Sequence, residues 1–146
     1  SSLAFAIDTF HFNGDPVSPS LQILTGGSIT PLVSVETGLG DAIRYPNFAW
    51  FGSVSYTPSG LDDYTGEFTG RIEHANLGSF SVQANVDFGA LGLAGQTVYY
   101  GFTAASGLAT DGHTIQWGAP VPEPGTLARW AAGLAGLATQ RRQKRA

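Results

Sequence analysis

The amino-acid sequence predicts an all-β protein whose sheets pack face to face, and three observations carry that expectation. Of 146 residues, 20 are Gly and 12% are aromatic; Ser, Thr and Val are plentiful, while Lys, Glu and Gln are scarce for a helical chain. Apolar side chains recur with period two along residues 1–118, as they do on a half-buried strand. Turn clusters such as Thr25-Gly26-Gly27-Ser28 and Pro58-Ser59-Gly60 separate the periodic runs. Many short strands, each with one apolar face, need a second apolar face to pack against.

The patterns are clearest in three segments. Over 47–57, Phe48, Trp50, Val54 and Tyr56 share one face, with Ser53, Ser55 and Thr57 opposite. Over 79–88, Phe80, Val82, Ala84, Val86 and Phe88 alternate with Ser81, Gln83, Asn85 and Asp87. Over 97–104, Val98, Tyr100 and Phe102 alternate with Tyr99, Gly101 and Thr103. Further strands are expected over 3–10, 21–24, 31–35, 66–74 and 113–118, and no helix is expected before residue 126. Gly38-Leu39-Gly40 lacks the third glycine and the strand–helix setting of a nucleotide loop, so it reads as a turn. Asp62-Asp63 beside Tyr64 reads as a solvated hairpin loop.

Charge is unevenly placed. Residues 1–120 carry ten acidic side chains against two basic ones, Arg44 and Arg71, a formal −8, while the other five basic residues lie in 129–145. Such a body repels nucleic acid and anionic membrane, and suits a cation or a neutral ligand. Without cysteine there are neither disulfides nor thiolate metal sites, although a domain of this size can rely on its own core. The chain opens on Ser1-Ser2-Leu3 with no basic start and apolar run, so a secretion signal is expected to be absent or already removed.

Three segments follow: a β body over 1–118, a Pro-rich linker over 119–125 and a tail over 126–146. Val121-Pro122-Glu123-Pro124-Gly125 stops the domain, because proline lacks the amide donor that strands need. The Leu/Ala/Gly run of 127–138 reads as a short helix, at about 12 residues and roughly 18 Å too short for a ~30 Å hydrocarbon core. Arg129-Trp130 interrupts it, and Arg141-Arg142-Gln143-Lys144-Arg145 closes it with charge that stays on the cytoplasmic side. This order of Pro-Glu-Pro box, small apolar helix and arginine cluster resembles the PEP-CTERM sorting signal. The resemblance implies export in a Gram-negative bacterium, recognition of Val121, Pro122, Glu123, Pro124, Arg141 and Arg142 by an exosortase-type membrane protease, and transient membrane contact. The tail is then a sorting address outside the fold.

Near the N-terminus, Ala4-Phe5-Ala6-Ile7-Asp8-Thr9-Phe10 runs into a loop with Asn13, Asp15 and Pro16. Asp8, Asn13 and Asp15 lie within eight residues, and hard cations such as Ca²⁺ take several such oxygens. The same residue types also cap and turn loops. This segment resembles the metal loop of legume-type (L-type) lectins. So do Val86-Asp87-Phe88 and Val98-Tyr99-Tyr100-Gly101-Phe102-Thr103-Ala104-Ala105-Ser106-Gly107, with His113-Thr114-Ile115-Gln116-Trp117 beyond. The resemblance implies a concanavalin-like jelly-roll β-sandwich, incomplete at its N-terminus, that binds carbohydrate beside calcium. Carried over by position, Asp8, the Phe10 carbonyl, Asn13 and Asp15 are calcium ligands. Phe10 stacks on a sugar, Asn13 orients a hydroxyl, and Gly107, Leu108 and Asp111 line the rim.

The departures from that family also carry meaning. Ala6 stands where the family has a glutamate and Ser20 where it has a histidine, so the accompanying transition-metal site is expected to be lost. The loop is short and places Asn13 one position late, and the family's sugar-binding aspartate belongs to a preceding segment. Glycosidases of related fold use Glu-x-Asp-x-x-Glu on this strand, and retaining hydrolysis needs two carboxylates about 5–5.5 Å apart. Here the three positions read Ala6, Asp8 and His11, so no enzymatic activity is expected. His74 and His113 have no Gly-x-Ser-x-Gly elbow to serve and read as surface or half-buried strand residues. Trp50 and Trp117 read as core rather than as sugar platforms. The expectation is an exported carbohydrate-binding protein of the envelope or exopolysaccharide matrix, and the alternative is a non-binding structural matrix protein with a degenerate lectin fold.

Overall fold

A computed structural model of the chain describes residues 1–10, 19–45, 49–59, 64–105 and 114–116. The chain divides into two units, Ser1–Tyr100 and Gly101–Ala146. The first holds six strands: β1 (Leu3–Asp8), β2 (Ser20–Thr25), β3 (Val33–Glu36), β4 (Phe51–Pro58), β5 (Thr65–His74) and β6 (Gly78–Asp87). They form two antiparallel three-stranded sheets, ordered β1-β2-β3 and β4-β5-β6. Each strand pairs only with its neighbours in the chain, so each sheet is a meander and the described fold is all-β. In the second unit, residues 101–105 and 114–116 belong to no strand and are exposed. Among the described residues no helix is long and apolar enough to cross a membrane.

In the second sheet β5 and β6 follow the alternation closely, whereas β4 departs from the face expected of it: Tyr56 is half-buried but Val54 is 58% exposed. On β5, Gly66, Phe68, Gly70, Ile72 and His74 face inward, while Glu67, Arg71 and Glu73 face water. The register matches small with large across the strands: Gly66 opposes Val86, Phe68 opposes Ala84, and Gly70 opposes Val82. Outside, Gln83 Nε2 donates to Glu67 at 3.3 Å and Arg71 pairs with Glu73 at 3.2 Å. Both contacts are exposed, where such pairs contribute little stability.

In the first sheet β2 is the central strand, and Ser20 to Ile23 are all buried. Leu21 and Ile23 join Ile72 and Val82 of the second sheet in one core cluster with Ile43. Leu3, Phe5, Val33, Leu39, Trp50, Phe68, Phe80 and Ala84 pack around it. Each fully buried aliphatic side chain contributes about 1.5–3 kcal/mol relative to exposure. Phe5 reaches across to β5, where a Cβ on Gly70 would overlap its ring, so only glycine permits this approach.

The connections obey local chemistry. Thr25-Gly26-Gly27-Ser28 is the expected turn, closed by Ser28 N–H donating to the Thr25 carbonyl at 3.1 Å, with both glycines at positive φ (64° and 75°). Gly38-Leu39-Gly40 leads into a single 3₁₀ turn, Gly40–Ile43, where no helix was expected. The indole Nε1 of Trp50 donates to the Ile43 carbonyl at 3.1 Å and ties this turn to the start of β4.

Several expectations are corrected. The segment 97–104 joins neither sheet: Tyr99 is 95% exposed, and Val98, Tyr100 and Phe102 are each more than half exposed. Residues 114–116, expected within a strand over 113–118, also lie outside both sheets. Period-two alternation makes a segment suitable for a sheet, but a strand exists only when a neighbour takes its hydrogen bonds. His74 is corrected too. It is 3% exposed on the inner face of β5, its ring centroid 5.0 Å from that of Trp50. Its Nδ1 accepts the Asn76 amide at 3.2 Å across the β5–β6 turn.

Candidate functional site

The alternation of β1 puts Ala4, Ala6 and Asp8 on the sheet face opposite Leu3 and Phe5, and the register sets Ala6 against Gln22 and Asp8 against Ser20. These four residues form a compact patch at the end of β1. Both carboxylate oxygens of Asp8 accept hydrogen bonds from the chain. Oδ1 takes the Phe10 amide at 3.1 Å, the local turn that aspartate favours at a strand end. Oδ2 takes Gln22 Nε2 at 3.3 Å, and the same amide also donates to Ser20 Oγ at 3.0 Å. Gln22 is 6% exposed and Ser20 fully buried, so the network satisfies polar groups that would otherwise be costly to bury.

Phe10 follows at the strand end and is 56% exposed. The Arg44 guanidinium carbon lies 5.8 Å from the Phe10 ring centroid and 5.4 Å from that of Tyr45, bringing together residues more than thirty positions apart in the chain. Both distances lie within the range of attraction between a guanidinium and an aromatic face.

The metal expectations divide at this patch. The described residues do not favour a transition metal: Ala6 offers no ligand atom, and the Gln22 Nε2 amino group, a donor, is directed at Asp8 and Ser20. A hard cation fits the donor chemistry that is described, since the Asp8 carboxylate and the Phe10 carbonyl are both oxygen donors. Among the described residues no group of three or more His, Cys, Asp or Glu is placed to hold a metal. Asn13 and Asp15 of the calcium set, Gly107, Leu108 and Asp111 of the sugar rim, His113 and Trp117 lie outside the described residues. So do Val121, Pro122, Glu123, Pro124, Arg141 and Arg142 of the tail.

Three residues of this region were not singled out by sequence: Gln22, Arg44 and Tyr45. Gln22 reads as an ordinary polar position within Leu21-Gln22-Ile23-Leu24, and only the register places it against Ala6. Arg44 carried a weak signal as one of two basic residues in an acidic body, whereas Tyr45 carried none. Trp50, read as core, does pack against the core cluster. No family model, curated protein or solved structure matches this chain.

Proposed function

We propose that the chain is an exported carbohydrate-binding, lectin-like protein, directed by an exosortase-type sorting tail to the envelope or exopolysaccharide matrix of a Gram-negative bacterium. One observation carries the reading. Asp8, at the end of β1, accepts the backbone amide of Phe10, so a fixed carboxylate is tied to an aromatic residue that is 56% exposed. A carboxylate to hold a cation and an aromatic face to stack on a sugar are the two parts such a site needs.

In this reading Asp8, the Phe10 carbonyl, Asn13 and Asp15 hold calcium, which orders the loop and orients sugar hydroxyls. Phe10 stacks on the pyranose, Asn13 bonds a hydroxyl, and Gly107, Leu108 and Asp111 line the rim. The two meanders are then part of a concanavalin-like jelly roll that needs strands beyond these six. The strongly acidic body agrees with a cation and a neutral polymer as partners and disfavours nucleic acid.

One observation favours a second reading, a matrix protein that keeps the fold without binding. Gln22 Nε2 donates to both Asp8 and Ser20, so the polar atoms beside Ala6 are engaged by the chain itself. Melting curves of the full-length chain with and without calcium, followed by a glycan array, separate the two. Calcium at a hundred times its dissociation constant stabilises a native state by about 2.7 kcal/mol, a shift on the order of 10 °C for a domain of this size. A melting temperature unmoved by millimolar calcium, together with a blank array, overturns the lectin reading.

A further inference from the structure

We propose that Phe10, Arg44 and Tyr45 form a single aromatic platform for a neutral polysaccharide, with Tyr45 as a second stacking surface beside Phe10. The inference rests on the carbohydrate-binding reading above and extends it to residues on a different part of the chain. Phe10 and Tyr45 are 56% and 69% exposed, and one half-buried guanidinium lies 5.8 and 5.4 Å from their ring centroids. A ring packed for stability alone is normally buried, whereas these two keep more than half of their surface in water while being held in place.

The backbone beneath each ring is held by the fold. Phe10 is tied to the end of β1 through the Asp8 carboxylate. Arg44 ends the 3₁₀ turn, its amide donating to the Asp41 carbonyl at 3.0 Å. The preceding residue, Ile43, is buried in the core and its carbonyl accepts the Trp50 indole. Such anchoring lowers the entropy lost when a ligand docks, which is how a few surface rings come to bind a sugar measurably.

The ligand class follows from the chemistry. The faces of aromatic rings match the C–H face of a pyranose. The body's formal −8 opposes accumulation of an anionic polymer around this one cation, so a neutral polymer is the better partner.

Affinity electrophoresis of the full chain, read as a dissociation constant, tests this against soluble glucan, mannan, galactan and xylan, with alginate as the anionic control. The wild type should bind at least one neutral polymer more tightly than alginate. Tyr45→Ala should weaken that binding about tenfold, comparable with loss of an aromatic contact of about 1.4 kcal/mol. Arg44→Lys, which keeps the charge but loses the planar guanidinium beside the two rings, should weaken it severalfold, and both variants should melt within about 2 °C of wild type. If either variant melts lower, Tyr45→Leu replaces the ring while keeping apolar bulk, and the same loss of binding is required of it. Wild-type affinity in the Tyr45 variants alongside loss in Phe10→Ala overturns the platform and leaves the carbohydrate reading intact. Tighter binding of alginate overturns the neutral ligand class. Failure of the wild type to bind any of the five polymers overturns both readings.

Discussion

Gly70→Ala is the most informative single change to the fold, because it adds one methyl group where the Phe5 ring of the first sheet meets β5 of the second. Gly70 is buried on β5 between Val54 and Val82, and a Cβ there overlaps the Phe5 ring. The ring must retreat on the order of 1 Å to restore an ordinary carbon–carbon separation of about 3.5–4.0 Å. It cannot do so freely, since Phe5 sits in mid-strand with the β1–β2 ladder on either side of it. Either the ring leaves its packing or the sheets separate locally, at a cost of about 1–3 kcal/mol. Near the middle of that range, about 2 kcal/mol, the melting temperature falls by roughly 8–16 °C. Backbone strain adds nothing, because Gly70 does not adopt a positive φ. Phe5→Ala should therefore reverse the sign. With the ring gone, Gly70→Ala should be neutral or stabilise by up to about 1 kcal/mol, through the lower entropy of the unfolded chain. A double-mutant cycle in urea, with the coupling energy as its readout, measures this directly. A Gly70→Ala variant as stable as its parent, or one whose cost is the same with and without Phe5, would refute the inter-sheet contact.

Other perturbations address the site and the edges of the fold. Gln22→Leu should cost about 1–3 kcal/mol in urea denaturation, because Asp8 and the buried Ser20 hydroxyl lose a shared donor. Gln22→Glu should also destabilise, by setting two carboxylates together, but millimolar Mn²⁺ or Ca²⁺ should raise its melting temperature more than that of the wild type. An equal metal response in the two proteins would count against Gln22 as the group that closes this place. Trp50→Phe removes the donor to the Ile43 carbonyl and should lower stability by about 0.5–1.5 kcal/mol without abolishing folding. Tyr99→Ser and Val98→Ser should each stay within about 0.5 kcal/mol of wild type, since both side chains are exposed and their segment joins neither sheet. A loss above 2 kcal/mol at either position would restore the strand expected there.

Much of the fold was legible because alternation is a local property. A run such as Phe80, Val82, Ala84 and Val86 names both its conformation and its buried face, whatever lies opposite. The same local logic identified the turn at Gly26-Gly27, the core role of Trp50, and Asp8 at a strand end. Residues 97–104 show where that logic stops. Their pattern is as regular as that of β6, yet the hydrogen bonds of a strand belong to a pair of segments, and alternation in one segment supplies no partner.

The sequence by itself determined the all-β class, the inward face of β6, the acidic body and the position of Asp8 and Phe10 at the end of β1. Only the tertiary structure decided that Gln22 bonds to Asp8 and Ser20, that His74 lies in the core against Trp50, and that Arg44 reaches both the Phe10 and the Tyr45 rings. The physical reason is common to all three. Register and packing depend on residues distant in the chain, and they alone set whether a polar side chain meets a partner, the core or water.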